Sequence, residues 1–91
     1  MGTARAHVYV TGYVQGVFFR HSTAKRARSA GLTGWVKNLA DGRVEVLIQG
    51  ERDAVESFIE WCKQGPAHAI VERIEVEWEP VSADFSGFQA L

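Results

Sequence analysis

Cysteine is almost missing from this chain of 91 residues: Cys62 stands alone, so no disulfide can close within it. A framework of cross-links is excluded, and a single thiol fits a reducing compartment. With no second cysteine and only His7, His21 and His68 scattered along the sequence, the donors for a structural metal site are lacking. Long apolar runs are also absent. Nothing approaches the roughly 20 consecutive apolar residues that span a bilayer, and Met1-Gly2-Thr3-Ala4-Arg5 leads into a strand instead of a signal segment. The expectation is a cytoplasmic protein without a membrane partner. No repeat, linker or low-complexity segment appears. Acid is scarce in one half only. Residues 1–43 carry seven Lys/Arg against Asp41 alone, a net +6, whereas residues 44–91 carry three against ten acids, a net −7. A basic half of this kind attracts small anions.

What is present suits a compact fold. The hydrophobic share of 46% and aromatic share of 11% are those of a globular chain, and this length leaves room for one domain, residues 1–91. Residues 6–13 alternate, with Val8 and Val10 on one face and His7, Tyr9, Thr11 and Tyr13 on the other, as in a strand with one buried face. Ser22 is placed to cap a helix of about ten residues, whose Thr23, Ala27 and Ala30 form a narrow stripe and which Gly31 stops. Lys25, Arg26 and Arg28 read as its solvated face. Residues 34–39 form a second strand, Asp41-Gly42 a hairpin turn, and residues 43–49 a third strand. A helix over about 52–64 buries Val55, Phe58, Ile59 and Cys62 until Gly65-Pro66 ends it. Residues 70–79 give the fourth strand, and an edge strand is expected near Phe88 within 81–91. Trp35 and Trp78 are expected to pack at strand positions.

The order β-α-β-β-α-β is the split βαβ arrangement of ferredoxin-like sandwiches. The expected fold is α+β, an antiparallel sheet of four to five strands with two helices on one face. Between the first strand and first helix lies Gly12-Tyr13-Val14-Gln15-Gly16-Val17-Phe18-Phe19-Arg20. Such a junction gathers unpaired N–H groups at a helix N-terminus, and glycine lets successive amides curl into an anion-holding nest. Gly16 sits where a side chain would obstruct an anion. Arg20 adds a fork of donors matched to phosphate or carboxylate. The spacing also fits an ordinary turn with a solvated arginine. It is neither GxGxxG nor GxxxxGK[ST], so a Rossmann or Walker nucleotide site is not indicated. In a split βαβ the first two strands are parallel with another between them, so Asn38 finishes beside the Arg20 loop, roughly 10 Å away. Asn38 reads either as a residue near a turn or as a carboxamide able to orient a water.

These segments, with Gly34-Trp35-Val36-Lys37-Asn38, Asp41-Gly42-Arg43-Val44-Glu45 and Gly65-Pro66-Ala67-His68-Ala69-Ile70-Val71 in that order, resemble the acylphosphatase family over about residues 6–80. The resemblance implies a metal-independent phosphohydrolase that cleaves the carboxyl-phosphate bond of small acylphosphates and releases inorganic phosphate. It implies that the amides of Gln15, Gly16, Val17, Phe18, Phe19 and Arg20 bind phosphate with the Arg20 guanidinium, and that Asn38 orients the attacking water. No cofactor is implied, and a monomer is expected. Two departures stand out: Ala67 replaces a proline frequent in the family, which implies a looser turn, and Phe88-Gln89-Ala90-Leu91 lacks the usual basic residue.

A carboxylate leaving group departs without a proton, so no general acid is needed, and no Asp or Glu lies in or beside the loop to act as base. In-line positioning and charge stabilisation then carry phosphoryl transfer, with the water's proton passing to a substrate phosphate oxygen. Two alternatives use the same topology. RNA recognition needs stacking aromatics on the central strands, but only Tyr9 is available, against Glu45, Leu47, Gln49 and the glutamates of the fourth strand. No nucleic-acid partner is therefore expected. A non-catalytic anion-binding or regulatory domain is the other.

Overall fold

The computed structural model describes residues 2–82 and 86–91. Its elements are β1 (Thr3–Tyr13), α1 (Phe19–Ser29), β2 (Thr33–Asn38), β3 (Val44–Glu51), α2 (Arg52–Cys62), β4 (Ile70–Glu79) and β5 (Phe88–Ala90). They build one sheet in the order β4-β1-β3-β2-β5. β1 pairs antiparallel with β3 and β4, and β2 antiparallel with β3. The edge strand expected near Phe88 is present; it runs parallel to β2, so the sheet is mixed at that margin. The rest of the expected tail strand includes residues 83–85, which lie outside the described residues.

Alternation explains the core. Ala6, Val8 and Val10 of β1 sit opposite Ile48, Val46 and Val44 of β3, all essentially buried. Val36 extends the row onto β2. The helices close this face: α1 with Phe19, Thr23, Ala24 and Ala27, α2 with Val55, Phe58, Ile59 and Cys62. The α2 stripe is the one its periodicity predicts. On α1 the small-residue stripe includes Ala24, while Ala30 is exposed.

Several boundaries differ from expectation for identifiable reasons. β1 begins earlier, at Thr3, because Thr3 and Ala4 pair with Glu51 and Gly50, and β3 correspondingly runs through Gly50. α1 starts at Phe19, not after Ser22, so Ser22 is not its cap. Phe19 is fully buried and fixes the first turn, and the Ser22 amide donates to the Phe18 carbonyl at 2.9 Å. Trp78 is 46% exposed at the margin of the core face, with the Arg52 guanidinium 4.5 Å from its ring centroid. The turn at Ala67 is closed by the Ala69 amide donating to the Pro66 carbonyl at 3.0 Å, so the missing proline does not open it.

The face without helices is held by polar side chains. The His7 ring stacks on Tyr9, its Nε2 lies 2.6 Å from Glu45 Oε2, and its Nδ1 lies 3.0 Å from Glu79 Oε2. His7 thus spans three strands, a cross-link that its alternating position does not reveal.

Candidate active site

β1 does not reach the loop as a regular strand. Its pairing with β4 slips between Thr11 and Gly12, and Gly12 adopts φ 141. A Cβ at this bulge would collide with the Ile70 main-chain oxygen, so glycine is needed here for close approach. The chain then alternates between anchoring and exposure. Val14, Val17 and Phe19 are buried, whereas Gly16, Phe18 and Arg20 face solvent. Three apolar anchors within six residues hold the loop against the core and leave its backbone at the surface.

That backbone alternates in the sign of φ, as a nest requires. Gly16 takes φ 76 and Phe18 φ 62, the latter the only non-glycine residue with positive φ among those described. Val17 between them does not share it, and such alternation makes successive amides converge. A Cβ at Gly16 would meet no protein atom within 4 Å, so the glycine is set by its backbone conformation and not by crowding from protein. Phe18 is also the N-cap of α1 and makes no side-chain cap; the first turn contains no acidic residue. Among the described residues, no acceptor binds the amides of residues 15–21. This is an uncapped, acid-free helix N-terminus continuous with a nest, an arrangement suited to a small oxyanion.

The partner residues arrive from β2. Val44 is paired with both Val10 and Asn38, so the three lie in one row across β1, β3 and β2. Asn38 therefore stands two strand spacings from β1, roughly 10 Å, on the face that carries the helices. Among the described residues its carboxamide has no hydrogen-bond partner. A cavity of about 240 Å³ is lined by Val14, Gly16, Phe18, Phe19, Arg20, His21 and Asn38. The two side chains singled out from the sequence, Arg20 and Asn38, thus meet in one cavity, and His21 joins them. A larger groove of about 530 Å³ lies between the helices, lined by Lys25, Arg26 and Trp61 among others, away from this loop. No group of three or more His, Cys, Asp or Glu able to hold a metal ion occurs among the described residues.

Three supports of the cavity are not evident in the sequence. The Gln15 carboxamide donates to the main-chain oxygens of Leu39 and Arg43 at 2.8 and 3.0 Å, strapping the loop to the hairpin that carries Asn38. Arg20 donates from one guanidinium nitrogen to the Leu91 main-chain oxygen, which fixes its reach across the helix start. Arg28 donates to the Phe88 carbonyl from Nε and Nη2 at 3.1 and 2.8 Å, so it secures β5 and is not simply part of a solvated face. Arg26 likewise lies over the Trp61 ring, 5.0 Å from its centroid. The hairpin turn is pinned by Asp41, whose carboxylate accepts the Arg43 amide at 3.1 Å and its Nε–H at 2.8 Å. These bonds, the amide first and the guanidinium next, hold the Asp41 carboxyl below its usual range.

The profile of the Acylphosphatase family matches residues 6–90. An acylphosphatase of Rubrobacter xylanophilus is 55% identical over 87 residues, covering 96% of this chain and 79% of that protein. One of a Roseiflexus species is 50% identical over 91 residues, covering 100% and 98%. The structure of an acylphosphatase from Coxiella burnetii superposes with a TM-score of 0.93 at 45% identity, covering 98% of this chain and 93% of that one.

Proposed function

The chain belongs to the acylphosphatase family, and from that premise we propose how its geometry hydrolyses the carboxyl-phosphate bond of small acylphosphates. The phosphoryl group sits in the nest, its oxygens accepting from the amides of Gln15, Gly16, Val17, Phe18, Phe19 and Arg20. The Arg20 guanidinium lies against the same oxygens. Preorganised donors of this kind stabilise the charge that develops on the equatorial oxygens during transfer. Asn38 accepts a hydrogen bond from the water with its carbonyl oxygen and directs the lone pair at phosphorus, opposite the leaving carboxylate. The P–O bond to the acyl oxygen breaks as the bond to water forms. The carboxylate leaves as an anion, and the water's proton passes to a phosphate oxygen.

The reading rests above all on one observation, the uncapped helix start that borders a cavity shared with Arg20 and Asn38. It requires no cofactor, because amides and a guanidinium supply the positive charge. We assign the whole of residues 1–91 to this one domain, acting as a cytoplasmic monomer on a small-molecule substrate, without a nucleic-acid partner. The lone buried thiol and the glutamate-rich β4 support that assignment. Incubation with acetyl phosphate and assay of released phosphate, with and without chelator, is the test. Release unaffected by chelator is expected. Failure to release phosphate overturns the assignment, and a loss restored by Mg²⁺ overturns the metal-independent mechanism.

A further inference from the structure

The residues lining the phosphate cavity divide by exposure. Val14 and Phe19 are each 1% exposed and form its floor. Arg20, His21 and Asn38 are polar, and Gly16 has no side chain. Among the described residues, Phe18 alone presents an apolar side chain to solvent at this cavity, 77% exposed. Isolated apolar residues are common on surfaces, but two features separate this one. It stands at the mouth of an oxyanion pocket, and its backbone is held at φ 62, a conformation unfavourable for a bulky residue. Buried Val17 and Phe19 on either side fix that backbone, so the ring is aimed outward by its neighbours.

We propose that the Phe18 ring is the platform for the acyl half of the substrate. With the phosphoryl group seated on the loop amides, the acyl group must extend out of the nest, and among the described residues Phe18 is the exposed apolar surface there. Covering its exposed ring favours an apolar acyl group, and a stacked aromatic one most of all. Phe18 is thus a specificity-determining residue, and acylphosphates with aromatic acyl groups are preferred over those with small ones. The inference rests on the acylphosphatase reading of the nest.

The test compares kcat/KM for benzoyl phosphate and acetyl phosphate in the wild type, in Phe18→Asn and in Phe18→Leu. Asparagine tolerates positive φ and so preserves the loop, while leucine retains apolar surface. Competitive inhibition by inorganic phosphate reports the nest separately. The benzoyl-to-acetyl ratio should exceed one in the wild type. It should fall about tenfold in Phe18→Asn, the low end for one lost hydrophobic contact, chiefly through KM, and should lie between the two in Phe18→Leu. Phosphate should still inhibit both variants. A ratio unchanged in Phe18→Asn overturns the platform and leaves the hydrolase reading standing. Loss of phosphate inhibition in step with the ratio also overturns it, because the ring would then act through the nest. If the wild type releases phosphate from neither acylphosphate, the underlying reading fails instead.

Discussion

At the scale of single residues, the proposed chemistry divides between a group that neutralises charge and one that places a nucleophile. Arg20 is the only guanidinium lining the cavity, so Arg20→Ala should lower kcat/KM by about 10³–10⁵, the range for arginines that stabilise transferring phosphoryl groups. Steady-state turnover of acetyl phosphate checks this, and near-normal rates would refute the role. In the proposed mechanism Asn38 holds water and not phosphate, so Asn38→Ala should depress kcat while inorganic phosphate remains a competitive inhibitor. Loss of that inhibition would merge two roles separated here. Both residues could be singled out because a guanidinium and a carboxamide suit phosphate and water, and the topology brings them to one cavity. Phe18 was legible only as a loop amide: nothing in a Val-Phe-Phe sequence marks the middle residue for positive φ. That conformation arises from the burial of its neighbours, which depends on the finished core.

At the scale of elements, strand and helix order followed from periodicity, and the α2 stripe was read correctly. The start of α1 was not, because it lacks the side-chain cap by which a start is recognised. In the proposed mechanism the missing cap has a purpose, since a capping hydroxyl would occupy amides that phosphate uses. The strap from Gln15 joins two elements far apart in sequence and has no local signature. Gln15→Ala removes two hydrogen bonds, about 1 kcal/mol each, and frees the loop to drift from the Asn38 hairpin. Misplacement of this order can cost about 10²-fold in rate. The expected result is a lower kcat with a smaller change in KM, read from full saturation curves. On α2, Cys62 is fully buried, and burial pushes its thiol well above the usual range. The unfolded thiol ionises at about 8.5, whereas the folded one is held protonated. Stability is therefore intact below that pH and declines as pH rises past it. Denaturant midpoints between pH 8 and 9.5 should fall, and Cys62→Ala should flatten that slope; an unchanged slope would contradict the assignment.

At the scale of the whole molecule, the charge asymmetry in the sequence becomes spatial. The basic residues include Arg20, Arg26 and Arg28 on α1, which opens at the phosphate loop, while Glu75, Glu77 and Glu79 lie along β4 at the far edge of the sheet. That gradient favours approach of an anionic substrate at the loop, so kcat/KM should decrease with added salt more than kcat does; equal responses would argue against steering. Composition revealed the gradient, but not which edge carries which sign. The strand order supplies that.

The hydrogen bond from Arg20 to Leu91 joins residues 71 positions apart, and that separation has a kinetic consequence. Contacts between distant positions close late, after local helices and hairpins have formed. Refolding followed by tryptophan fluorescence should thus run ahead of recovered turnover, with the delay set by docking of β5. Simultaneous recovery would place that docking inside the main folding step. Catalytic competence in this protein is then a late acquisition of the chain, gained when its last strand settles.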